Sequence, residues 1–309
     1  MKIYIVTLIL MVVQFCYAND GENFIASDIL KSMKAGDKAA ILMVYFGSTH
    51  DDTRELTIDA LNRKVKEEYK DIEVRDAFTS RIVIRLLKER GVEKLNPIDA
   101  LKKLKVDEYT HVIVQSANII EGIEMEALRR DIYVMEDEFK DIRIGNPLLY
   151  SPEDYKDVIK ALIPGAGSQV SSNIATIWVG HGTYSPATAQ YAMLDYMLKA
   201  EGHKDYYVAT VEGYPSLDDV LAQIENSGVK IIKLRPFMFV AGDHAKNDIA
   251  TGMKETLESK GYLVEVQMNG LGEDKNIQDI FIEHLRFCFN YKIIDIIKKK
   301  KDYETSSSH

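Results

Sequence analysis

Two histidines and a glutamate, His181, Glu212 and His244, follow three successive apolar runs in the second half of the 309-residue chain. The runs, residues 175–180 (ATIWVG), 206–211 and 230–234, are short enough to be buried strands of a parallel sheet. Ligands of open α/β sheets bind beyond the carboxyl ends of the strands. Because neighbouring strands lie about 5 Å apart, three such loops can converge on one ion. Two imidazoles and a carboxylate would hold a divalent transition metal and leave coordination positions open, as a catalytic site requires. Singly, each residue has a plainer use. His181 beside Gly182 can cap a helix, Glu212 can face the dipole of the next helix, and His244 in GDHAKND can be an ordinary loop side chain. Their equivalent placement on successive strands is what joins them.

The elements that must carry these residues occur twice. In the first half, residues 39–46 (AAILMVYF) form an apolar run ending in Gly47-Ser48-Thr49. Residues 51–69 follow, with Leu56, Ile58, Leu61 and Val65 near helical spacing and Thr49 and Asp52 spaced as a capping box. Residues 72–77 and 110–115 (THVIVQ) supply a second and a third strand. The second half repeats the order, with a helix predicted over 187–200, and the loop 118–124 (NIIEGIE) corresponds to 238–244 (MFVAGDH). Strands alternating with helices imply βαβ units. The expected fold is therefore α/β: two similar Rossmann-like lobes with parallel sheets flanked by helices, over residues 25–160 and 174–290. Residues 163–173 (IPGAGSQVSSN) join them as a surface connection. Gly165 and Gly167 there follow no strand and lack the lysine of a phosphate-binding loop.

Composition narrows the partners. A formal charge of −9 and a pI near 5.4 argue against nucleic acid. Residues 1–18 (MKIYIVTLILMVVQFCYA) have one lysine, a short apolar core and small residues at 16 and 18, the pattern of a cleaved secretory signal. Export, for instance to a periplasm, is the expected localisation. Loss of Cys16 with that segment would leave Cys288 without a disulfide partner. Past Leu285 the chain reads as an amphipathic helix, then a polar and basic tail over 291–309. Lys298 to Lys301 are either a solvated terminus or a membrane-surface contact.

The segments WVGHGT (178–183), TVEGYP (210–215) and FVAGDHAKND (239–248) resemble the anaerobic sirohydrochlorin cobaltochelatases of the CbiK type. The similarity continues through FGSTHDDTRELTIDA (46–60), AFTSR (77–81), GNPLLYSPEDY (145–155) and GLGE (270–273), and spans roughly residues 39–285. The resemblance implies that His181, Glu212 and His244 bind the metal and that His181 accepts a pyrrole proton. That proton role suits a neutral imidazole. It further implies substrate contacts from Ser48, Thr49, Phe239, Gly270 and Leu271. The expected activity is ATP-independent insertion of Co²⁺ into sirohydrochlorin or precorrin-2. The ligand types leave Fe²⁺, Ni²⁺ and Zn²⁺ open as well.

Departures from the family pattern bear on this expectation. Asn118 stands where the family carries a histidine, which removes one imidazole from the cleft between lobes. Phe237 and Phe239 replace smaller aliphatic residues, and they either offer aromatic faces to a tetrapyrrole or simply pack. His50 either starts a helix or faces the cleft. His111, His203, His284 and His309 have no partner pattern and receive no function. The competing expectation, motivated by export, is a periplasmic carrier for haem, another tetrapyrrole or free metal. Assembly as a homo-oligomer is open.

Overall fold

The computed structural model describes residues 24–163, 173–242 and 245–294, together with 296, 299, 300, 304 and 305. The signal-type segment 1–18, most of the glycine-serine connection, His244, and Lys298 and Lys301 of the basic tail lie outside the described residues.

Strand β1 (Phe24–Ala26) precedes β2 (Ala39–Tyr45), whose side chains are buried on both faces apart from its first residue. Together with β3 (Glu73–Phe78), β4 (His111–Ser116) and β5 (Asp141–Ile144), β2 builds a parallel sheet of order β3-β2-β4-β5. The second sheet uses β6 (Ile174–Gly182), β7 (Tyr206–Glu212), β8 (Ile231–Pro236) and β9 (Leu263–Val266) in the order β7-β6-β8-β9, again all parallel. The two orders are the same, with the first strand of each lobe second from one edge. The α/β expectation of two similar lobes with helix-flanked parallel sheets therefore holds.

Several local expectations are corrected. The helix expected over 51–69 is two helices, Asp51–Leu56 and Ile58–Glu68. The Thr57 hydroxyl donates to the Thr53 carbonyl at 2.5 Å, a bond of the kind that bends helices, and Thr57 itself sits at φ −116°, ψ −74°. The Thr49–Asp52 capping box does not form, because His50 occupies the N-cap position and the Asp52 carboxylate accepts from the neighbouring Thr53 N–H. The helix expected from 187 begins as a short 3₁₀ turn, Pro186–Thr188, capped by Ser185, before Ala189–Ala200. Near the C-terminus the helix stops at Asn290. Tyr291–Ile293, read above as the start of the tail, is a strand, β10, paired antiparallel with β1.

The lobes exchange helices across their interface. The long helix Lys275–Asn290 packs on β4 and on helix Pro152–Leu162 of the first lobe, and the latter in turn packs on Ala189–Ala200 of the second. Burial of Ile277, Phe281, Ile282 and Leu285 on the long helix, along with Tyr45, Trp178 and Phe239, makes one core shared by both lobes. Arg143 ties the chain ends to that core. Its guanidinium donates to the carbonyls of Ser27, Cys288 and Phe289 and to the Asp141 carboxylate.

Candidate active site

His181 is the next-to-last residue of β6, and Glu212 is the last of β7. The parallel register sets Gly180 opposite Thr210 and Gly182 opposite Glu212, so the two candidate ligands end adjacent strands at one edge of the sheet. The half-buried His181 ring has Nδ1 3.2 Å from the Gly182 carbonyl oxygen. A carbonyl can only accept, so a neutral ring in this contact carries its proton on Nδ1 and its lone pair on Nε2. That tautomer suits both metal ligation and proton acceptance. Glu212 is exposed at the same edge.

The turns beyond both strands are fixed by close backbone approach. Gly182 has φ +85°, and a Cβ there would lie 1.5 Å from the Glu212 carbonyl oxygen. Gly213 has φ +97°, and its Cβ would meet the Thr183 oxygen at 2.6 Å. Only glycine fits either position. The Thr188 hydroxyl accepts from the Tyr214 N–H and donates to the Tyr214 carbonyl, both at 2.9 Å. Thr210 closes the second turn, its N–H and hydroxyl both donating to the Pro215 carbonyl.

The third strand end leads into the loop that carries His244. Phe237 N–H donates to the Val179 carbonyl just past the end of β8. Phe237 is buried and stacked on Trp178, with ring centroids 5.4 Å apart. Phe239 is buried between Tyr45 and Phe281 at 5.5 and 5.7 Å. Both rings are thus committed to the core, so packing is their role, and the aromatic face expected of Phe239 is taken by these neighbours. The GLGE segment is stitched to the same loop: Leu271 N–H donates to the Met238 carbonyl and Gly272 N–H to the Phe239 carbonyl. A Cβ on Gly270 would lie 2.6 Å from the Phe239 oxygen.

The first lobe meets this loop from the other side. Ser48 and Thr49 are buried, Ser48 Oγ accepts from His50 N–H, and the Thr49 carbonyl accepts from Arg90. Ser48 Oγ would be 3.9 Å from a Cβ on Gly242, and Lys246 Nζ is 3.5 Å from His50 Nδ1. His50 therefore both begins a helix and reaches across the cleft. Asn118, in the matching loop of the first lobe, has a buried side-chain Nδ2 without a hydrogen-bond partner. Beyond residue 244 the backbone winds as a π-helix over Ala245–Met253, a form frequent at functional sites.

The structure thus sets the strand ends bearing His181 and Glu212 side by side, and brings Ser48 to Gly242 at the start of the His244 loop. Among the described residues no three His, Cys, Asp or Glu side chains gather as a metal site. His244 itself is outside them. Sequence reasoning passed over the Thr188 clamp and two exposed tyrosines, Tyr214 inside the motif TVEGYP and Tyr184 directly after WVGHGT.

Residues 39–290 match the family model described as cobalt chelatase (CbiK). The chain belongs to this family. A relative named sirohydrochlorin cobaltochelatase, from Salmonella typhimurium, is 34% identical over 83% of the chain and 98% of that protein. Another, from Nitratidesulfovibrio vulgaris and named sirohydrochlorin cobaltochelatase CbiKC, is 32% identical over 80% of the chain and 89% of its own length. Among solved structures, SirB from Bacillus subtilis with Fe³⁺ superposes with a TM-score of 0.57 at 15% identity, over 81% of this chain and 95% of that one. The sirohydrochlorin chelatase SirB from Bacillus subtilis subspecies spizizenii, in complex with cobalt, gives 0.55 at 12% with the same coverage. These structures share the fold. By its family this chain is an enzyme, a metallochelatase.

Proposed function

We propose that this chain inserts Co²⁺ into sirohydrochlorin, or its reduced precursor precorrin-2, without ATP. His181, Glu212 and His244 hold the incoming metal, which is substrate and not a resident cofactor. His181 accepts one of the two pyrrole N–H protons that leave as the ion enters, and the second passes to solvent, so charge and atoms balance. Ser48, Thr49, Gly270 and Leu271 border the ring through the loops they occupy, while Phe239 supports those loops from the core. The observation that carries this proposal is the register of β6 on β7, which sets Gly182, the residue after His181, opposite Glu212 at the carboxyl ends of two adjacent strands, where ligands of open α/β sheets bind.

Cobalt is favoured by the names of the curated relatives, since a histidine and carboxylate set alone would also accept Fe²⁺, Ni²⁺ or Zn²⁺. We further infer from residues 1–18 that the enzyme is exported. That segment also favours the second function, a periplasmic tetrapyrrole or metal carrier, because corrin synthesis is ordinarily a cytoplasmic task. Turnover separates the two. Purified protein mixed anaerobically with excess sirohydrochlorin and, in turn, Co²⁺, Fe²⁺ and Ni²⁺ should metallate many equivalents, fastest with Co²⁺. A carrier would bind one equivalent of ring or metal and stop.

A further inference from the structure

Two aromatic side chains stand at the same sheet edge as His181 and Glu212, and none of the roles above uses them. Tyr184 follows His181 by three residues, and Tyr214 follows Glu212 by two. Tyr184 is 85% exposed, the most open of the large apolar side chains among the described residues, and Tyr214 is 54% exposed. The nearby aromatic residues Trp178, Tyr191, Phe237 and Phe239 are all buried.

Neither exposure reflects a loosely held loop. Gly213 packs against the Thr183 backbone, Ser185 N–H donates to the Thr183 hydroxyl, and Thr188 clamps both backbone groups of Tyr214. Holding two rings in water on fixed turns forgoes the burial that usually stabilises an aromatic side chain. It does, however, leave two open π-surfaces on fixed backbone beside the proposed metal site. The flat occupant that the proposed reaction brings to this edge is the tetrapyrrole, whose unsaturated face can pack in offset or edge-on contact with such rings.

We infer that Tyr184 and Tyr214 form an aromatic lip that binds the face of the tetrapyrrole and orients it over His181 and Glu212. This rests on the chelatase function proposed above. The two tyrosines are substrate-binding residues for the ring and take no part in holding the metal.

The test measures the affinity for metal-free sirohydrochlorin by anaerobic fluorescence titration, and separately Co²⁺ binding without the ring. Tyr184→Ala and Tyr214→Ala should each weaken ring binding about three- to tenfold. Tyr184→Phe and Tyr214→Phe should stay within about twofold of the parent, because they keep the ring. Co²⁺ binding should not change in any of them, and in turnover KM should rise more than kcat falls. Tyr133→Ala is the control, since Tyr133 is equally open, at 78%, but lies near the end of helix Ile123–Met135 in the first lobe. Should either alanine variant lose thermal stability, Tyr184→Ser or Tyr214→Ser repeats the measurement.

Unchanged ring affinity in the alanine variants, beside a parent that metallates normally, would overturn this inference and leave the chelatase proposal standing. A parallel loss of Co²⁺ binding would also overturn it, because the tyrosines would then be supporting the metal site. A parent that neither binds nor metallates the ring would overturn both.

Discussion

Gly182 and Glu212 face each other across β6 and β7 so closely that a Cβ on Gly182 would fall 1.5 Å from the Glu212 carbonyl oxygen. The absence of a side chain at residue 182 is what allows the His181 turn to settle against the strand end bearing Glu212. Gly182→Ala adds both this collision and an unfavourable positive φ. It should cost about 2–4 kcal/mol of stability, the range of a backbone-strain substitution, and lower the metallation rate further by displacing both proposed ligands, His181 and Glu212. Thermal unfolding and the anaerobic rate, compared with Gly202→Ala as control, check this. Gly202 also has positive φ but meets nothing within 4 Å.

Thr188→Val removes the hydroxyl that bonds both backbone groups of Tyr214 and keeps the side-chain shape. Hydrogen bonds of this kind contribute about 1 kcal/mol each. The melting temperature should fall by a few degrees, and metallation should slow severalfold as the 210–215 turn loosens. Amide hydrogen exchange across that turn should quicken in the variant, while exchange in β2 stays as in the parent.

How far the sequence speaks depends on burial. β2 and β6 were legible because both faces of each are covered, which leaves continuous apolar runs such as AAILMVY. The edge strands β5 (DIRI) and β9 (LVEV) were not, since they are short and their polar side chains pair with neighbours, Arg143 with Asp141 and Lys233 with Glu265. The break at Thr57 is a single residue of distorted backbone, φ −116° and ψ −74°, which helical periodicity does not register. No local signal announces the pairing of β1 with β10, because Arg143, remote from both, holds them. In the site, His181 and Glu212 could be placed from strand ends alone. Whether Phe239 faced a ligand or the core depended on Tyr45 and Phe281, each supplied by a distant part of the chain.

The long helix is anchored by an acid-sensitive contact. His284 Nε2 lies 3.0 Å from the Asp154 carboxylate and Nδ1 lies 3.2 Å from the Asn146 carbonyl. Burial works against ionisation of Asp154. The hydrogen bond and charge of His284, with the bonds from Ser151, outweigh it and hold the carboxyl below its usual range. A depressed folded pKa stabilises the native state above the unfolded value of about 3.9 and is lost as pH falls through the folded value. Asp154→Asn should therefore cost about 1–3 kcal/mol at neutral pH, and the gap from the parent should close below about pH 4. Urea unfolding of both proteins between pH 7 and 3 measures it, and a gap that persists undiminished at pH 3 would rule out the ionised carboxylate as its source.

The most direct measurement is the initial rate of Co²⁺ insertion into sirohydrochlorin, followed anaerobically by the visible spectrum, for the parent, His181→Ala, His244→Ala, Glu212→Gln and His203→Ala. His181→Ala and His244→Ala should lower the rate by about two orders of magnitude or more, because in the proposed mechanism each removes a nitrogen ligand and His181 also accepts a proton. Glu212→Gln, which keeps one oxygen but loses the charge, should weaken Co²⁺ binding more than it alters the fold. His203→Ala, in the turn after helix Ala189–Ala200, should match the parent. A His181→Ala variant that metallated sirohydrochlorin as fast as the parent would contradict the proposed metal site.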